Sequence, residues 1–208
     1  MWPEGGVPDS LVVWLVLAAL PLLVASCTAF TKVSVVVAAL RIGLGAELLL
    51  PFSALLALSV AVTSVIMAPV AYEMFDTYQR SSIAHAPAAE LGYASWRPVF
   101  GPLWEFMSMH ADDGELAFFA DLQQLPISHP LVLVPGFLVS ELSRGLYLAV
   151  LIIVPFALVE LLVAQVLGLL GISPQPLGLI ALPLKILLFL AAGGWTLVLG
   201  NLVRGYAP

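Results

Sequence analysis

The feature that most constrains this chain is the length of its charge-free runs. Residues 11–30 hold no charge over 20 positions and residues 48–72 none over 25. Residues 130–203 are almost continuously apolar, broken only by Glu141, Arg144, Glu160 and Lys185. A helix needs about 20 apolar residues to cross the ~30 Å hydrocarbon layer of a bilayer. A soluble globular chain carries about 25% charged residues, whereas this chain has 10%. The runs therefore predict an all-α membrane protein of about four long hydrophobic helices arranged as two kinked hairpins. The first two spans are residues 11–30 and 48–72. The third and fourth run from about Leu131 to Leu170 and from about Leu179 to Val203, with a turn over residues 171–178.

Charge divides the chain further. Residues 73–129 carry eight acids (Glu73, Asp76, Glu90, Glu105, Asp112, Asp113, Glu115, Asp121) and two bases (Arg80, Arg97). Three regions follow: an N-terminal hydrophobic hairpin (1–72), a polar acidic insert (73–129) and a C-terminal hydrophobic hairpin (130–208). Lys32 and Arg41 lie in residues 31–47, which read as a short loop between the first two spans. Cations mark the cytoplasmic side, so the acidic insert is expected in the periplasm of a bacterium. The first span begins Met-Trp-Pro-Glu rather than with cations and is longer than the apolar core of a leader, so it is expected to be retained. Within the insert, Asp112-Asp113-Gly114-Glu115 ahead of Leu116, Phe118, Phe119 and Leu122 predicts a capped helix, whereas residues 81–102 look like irregular connection.

Each ionisable group at the bilayer centre costs about 2.5–3.5 kcal/mol when it faces lipid. For four groups the sum is on the order of 10 kcal/mol, comparable to the stability of a whole domain. Glu141 and Arg144 are spaced to pair along one helix face, or to snorkel near a helix start. Glu160 and Lys185 stand on the two arms of the C-terminal hairpin and are expected to pair across helices or between subunits. Pro21, Pro69, Pro155 and Pro183 each remove a helical hydrogen bond and are expected to bend their helices. The stripe Ala192, Thr196, Gly200 suits close helix contact. The chargeless turn reads either as an interfacial turn or as an apolar constriction formed by Leu169, Leu170 and Ile172. One cysteine and three scattered histidines suggest no metal or cofactor, and no nucleophile–base pair suggests an enzyme. Nothing suggests nucleic acid as a partner. Glu160 and Lys185 at a broken-helix interface also permit a small proton-coupled secondary transporter, although no internal symmetry supports it.

Several blocks resemble a known family. Phe30-Thr31-Lys32-Val33-Ser34-Val35-Val36, Leu40-Arg41 and Val65-Ile66-Met67-Ala68-Pro69-Val70 are similar to the N-terminal signature of the SctR/FliP family of type III secretion export proteins. Phe137-Leu138-Val139-Ser140-Glu141-Leu142, Val154-Pro155-Phe156, Leu182-Pro183-Leu184-Lys185 and Gly194-Trp195 follow the same family's order. The resemblance implies a core subunit of the export gate in the bacterial inner membrane, present in several copies, five in the family. It implies SctS/FliQ-type and SctT/FliR-type partner subunits, unfolded secretion substrates passing through a central channel, energy from the proton motive force and a separate ATPase, and no covalent chemistry. It further implies that Glu160 and Lys185 are the family's buried charged pair and that the turn after Leu170 is its channel-closing loop. Where the family has a methionine-rich stretch after Gly171, this chain has Ile172-Ser173-Pro174. A seal there falls to Ile172 and its leucine neighbours, or to a partner. The uncleaved start favours an injectisome over a flagellum.

Overall fold

In the computed structural model, residues 9–81, 93–173 and 177–206 are described. Among them the regular structure is entirely helical. In chain order the helices are α1 (Asp9–Cys27), α2 (Phe30–Leu44), α3 (Phe52–Arg80), α4 (Tyr93–Trp96), α5 (Gly101–His110), α6 (Asp113–Gln123), α7 (Pro130–Leu169), α8 (Leu177–Ala191) and α9 (Gly194–Arg204). Two of them, α3 and α7, are individually long and apolar enough to cross a membrane. Two bent pairs, α1 with α2 and α8 with α9, bring the possible spans to four.

Residues 31–47 are not a loop, and this corrects the sequence reading. Val33, Val36, Val37, Leu40 and Leu44 recur at the helical period and are buried as the central stripe of α2. Burial of that stripe outweighs the two cations that suggested a water-exposed connection. The helix stops at Gly45, whose φ of 68° is the left-handed conformation that glycine adopts without steric cost, and whose N–H bonds back to the Arg41 and Ile42 carbonyls. Arg41 then clasps the following turn, its Nε donating to the Leu50 carbonyl at 2.9 Å and its Nη2 to the Glu47 carbonyl at 2.9 Å.

The first span is likewise broken. The axes of α1 and α2 diverge by 77° at Thr28 and Ala29. Hydroxyls satisfy the backbone there: Thr28 Oγ1 donates to the Val24 carbonyl at 2.7 Å and accepts from the Phe30 N–H at 3.4 Å, while Thr31 Oγ1 donates to the Ala25 carbonyl at 2.9 Å. Such side-chain substitution is what lets a helix break survive away from water. The expected fourth span is also two helices, bent by 59° at Ala192 and Gly193; Gly193 has a φ of 63°. The stripe Ala192, Thr196, Gly200 therefore straddles the bend. By contrast, α1, α3, α7 and α8 each continue through Pro21, Pro69, Pro155 and Pro183. The two sharp bends fall at threonine and glycine, not at these prolines.

The expected second span starts later and runs further, as α3, ending with an Asp76–Arg80 ion pair of 2.9 Å one turn apart. In the insert, Asp112 caps α6 by accepting from the Gly114 N–H at 2.9 Å, as its sequence predicts. Much of residues 81–102 lies outside the described residues; the remainder includes α4 and the start of α5. The amphipathic faces of α5 and α6 fold onto α7, so Phe106, Met107 and Leu116 share one core with Val33, Val36, Leu133 and Phe137.

The axis of the molecule is α2 against α7. At their crossing, a Cβ on Gly145 would lie 3.3 Å from the Lys32 Cα and 3.4 Å from the Val35 side chain. A small residue there permits the close backbone approach on which helix packing in lipid depends. The far half of α7 forms a hairpin with α8, closed by Val163, Leu167 and Ala181.

Candidate functional site

Two ionic clusters hold Glu141, Arg144, Glu160 and Lys185, the charges within the apolar C-terminal run. The first is built from four elements. Lys32 sits in the first turn of α2, Glu141 on α7, and Tyr206 just after α9. Phe106 and His110 come from α5. Glu141 is 0% exposed and Lys32 is 5% exposed. Lys32 Nζ lies 3.5 Å from Glu141 Oε1 and 3.6 Å from the centre of the Tyr206 ring. The Tyr206 hydroxyl donates to the other carboxylate oxygen, Oε2. Arg144, one turn from Glu141, places Nη1 3.8 Å from Oε1. The ring of Tyr206 stacks on Phe106 at 5.7 Å between centroids and lies 5.1 Å from His110. A buried carboxylate thus has a cation, a phenol and a second, half-exposed cation around it, with aromatic rings excluding lipid and water.

The expected Glu141–Arg144 pair is therefore brought together, but as the outer part of a larger cluster. Full burial of Glu141 rules out the snorkelling alternative for it. Lys32 and Tyr206 escaped the sequence reading. The 3.6-residue period through Val33, Val36, Val37, Leu40 and Leu44 was the signal that Lys32 belongs to a packed helix. Tyr206 carries no such local signal.

The second cluster joins the arms of the C-terminal hairpin. Lys185 Nζ on α8 lies 3.2 Å from Glu160 Oε1 on α7, within one chain. The two partners differ in burial, Lys185 being 3% exposed and the Glu160 side chain 46%. Lys185 also reaches the turn that ends α2, since a Cβ on Gly45 would stand 3.8 Å from its Nζ.

At the end of α7, Leu169 is 88% exposed, and Leu170 and Ile172 are exposed beside it. Gly171 between them has a φ of 68°. Residues 174–176 of the expected turn lie outside the described residues. Among the described residues, no group of three or more His, Cys, Asp or Glu converges on a metal-sized space.

Long apolar helices with breaks satisfied by hydroxyls and glycines, and charges paired between them, define an all-α membrane protein. The chain belongs to the FliP family, whose sequence profile matches residues 13–202. It is 32% identical to the flagellar biosynthetic protein FliP of Caulobacter vibrioides, over 92% of this chain and 73% of that protein. It is 30% identical to the virulence protein YscR of Salmonella typhimurium, over 92% of this chain and 93% of the relative. It is also 30% identical to the Yop proteins translocation protein R of Yersinia pestis, over 96% and 97%.

Proposed function

We propose that this chain is a core subunit of a type III secretion export gate in the bacterial inner membrane. Copies of it, five by family resemblance, join SctS/FliQ-type and SctT/FliR-type subunits around a channel for unfolded proteins. The observation that carries this reading is a family match running from residue 13 to residue 202, with relatives named for flagellar biosynthesis and for Yop translocation. A gate subunit acts by packing and by occlusion, so it needs no catalytic centre.

Exposed apolar surface supports the assembly. Leu146, Val150, Val154, Leu158, Leu161 and Leu162 leave α7 bare on one side from its middle onward, beside the half-exposed Glu160. In a ring these residues meet sister chains, and Leu169, Leu170 and Ile172 form the apolar constriction at the hairpin tip. The acidic insert then faces the periplasm.

Native mass spectrometry of complexes extracted after co-expression with the two partner types tests this proposal. A species with several copies of this chain and both partners is the expected result, and a purely monomeric chain overturns it. The second cluster gives a further prediction, drawn from the unequal burial of its members. Glu160→Gln strands a buried ammonium, whereas Lys185→Met keeps the stem and leaves a carboxylate that water already reaches. Glu160→Gln is expected to cost about 2 kcal/mol and Lys185→Met under about 1 kcal/mol. Thermal unfolding of the two variants in one detergent measures the difference, and the reverse order removes the argument from burial.

A further inference from the structure

Two cavities share one wall. The first, about 340 Å³, is lined along α7 by Leu148, Leu151, Ile152 and Pro155, and along α9 by Leu197 and Val198. The second, about 500 Å³, is lined by Lys32, Arg144, Tyr147 and Gly205, and again by Leu148. Positions 144, 147, 148, 151, 152 and 155 follow the helical period along one face of α7, and positions 194, 197, 198, 201 and 202 do the same along α9, with Gly205 just past its end. The cavities are thus consecutive stretches of one groove between the two helices, apolar at one end and cationic at the other. Asn201 lines the apolar cavity at the end nearer Gly205.

We propose that this groove binds a single anionic phospholipid, its phosphate at Arg144 and one acyl chain against Leu148, Leu151 and Pro155. Three observations fit that ligand. The eleven helical steps from Arg144 to Pro155 span about 16 Å, the depth of one leaflet of a ~30 Å hydrocarbon layer. Lys32 is buried against Glu141, which leaves the half-exposed Arg144 as the positive charge in excess at the mouth. Tyr147, exposed at that mouth, is of the type that settles at headgroup level. The site is a property of this chain's own helices and does not depend on how many copies assemble.

Lipid titration of the purified full-length protein, read by native mass spectrometry, tests the proposal with phosphatidylglycerol and phosphatidylcholine of identical acyl chains. At about 1 kcal/mol per cation near an anionic headgroup, phosphatidylglycerol is expected to bind about fivefold more tightly. Arg144→Gln removes that preference and Arg144→Lys keeps it. Leu151→Trp, which fills the groove from an exposed position, weakens both lipids. Equal binding of the two lipids overturns the proposal, as does an unchanged preference in Arg144→Gln, unweakened binding in Leu151→Trp, or displacement of the lipid by inorganic phosphate alone.

Discussion

Glu141→Ala is expected to be among the most damaging single substitutions in this chain. It leaves the Lys32 ammonium, 5% exposed, without its counter-charge and the Tyr206 hydroxyl without its acceptor. Removing one partner of a buried ion pair costs about 3–5 kcal/mol, close to the whole stability of a small protein. Thermal unfolding in detergent and the amount of protein recovered from membranes both measure the loss. The decisive comparison is Lys32→Met with Glu141→Met, which removes both charges at similar volume. Replacing a buried pair by well-packed apolar side chains is often neutral, so the double variant is expected to recover most of the loss. The remainder belongs to Tyr206, about 1–3 kcal/mol for an orphaned hydroxyl, and Tyr206→Phe in the same background relieves it. A double variant as unstable as Glu141→Ala would show that the charge pair is not what holds α2, α7 and the segment after α9 together.

Gly194→Ala tests the bend between α8 and α9. A Cβ at this position would stand 2.1 Å from both Cδ2 and Cε2 of Phe189. The Phe189 ring cannot easily yield. It is buried, lies 5.2 Å from the Trp195 ring and 6.4 Å from the Phe156 ring, and Phe156 itself presses on Gly43. Overpacking of this kind costs about 1–3 kcal/mol. A loss in that range is expected, larger for Gly194→Val, and Phe189→Leu added to Gly194→Ala is expected to restore much of it by vacating the space. No rescue by Phe189→Leu would mean that backbone geometry, rather than the ring, requires glycine there.

The contrast between Gly193 and Gly194 shows why a glycine pair is informative only in three dimensions. Gly193 is needed for its φ of 63°, and its added Cβ would meet nothing within 4 Å; Gly194 is needed for space. The sequence reads as one helix through both, from about Leu179 to Val203, and distinguishes neither. The same holds for the prolines, which read as kinks while the sharp bends form at Thr28–Ala29 and Ala192–Gly193. Bending depends on whether neighbouring groups can satisfy the freed backbone, and at Thr28 the hydroxyls that do so come from the bend itself.

By itself the sequence determined the solvent, the helical class and the family, because hydropathy over about 20 residues and the order of local blocks need no knowledge of contacts. It also determined the cap at Asp112, since that bond closes within two residues. Only the tertiary structure decided that Lys32 is a core residue, that its carboxylate partner lies 109 positions away, and that Tyr206 completes the cluster. A charge in an apolar chain announces that it must find a partner. Which partner it finds depends on where α2 crosses α7, and that crossing is set by the space left at Gly145 and by Val35 packing into it.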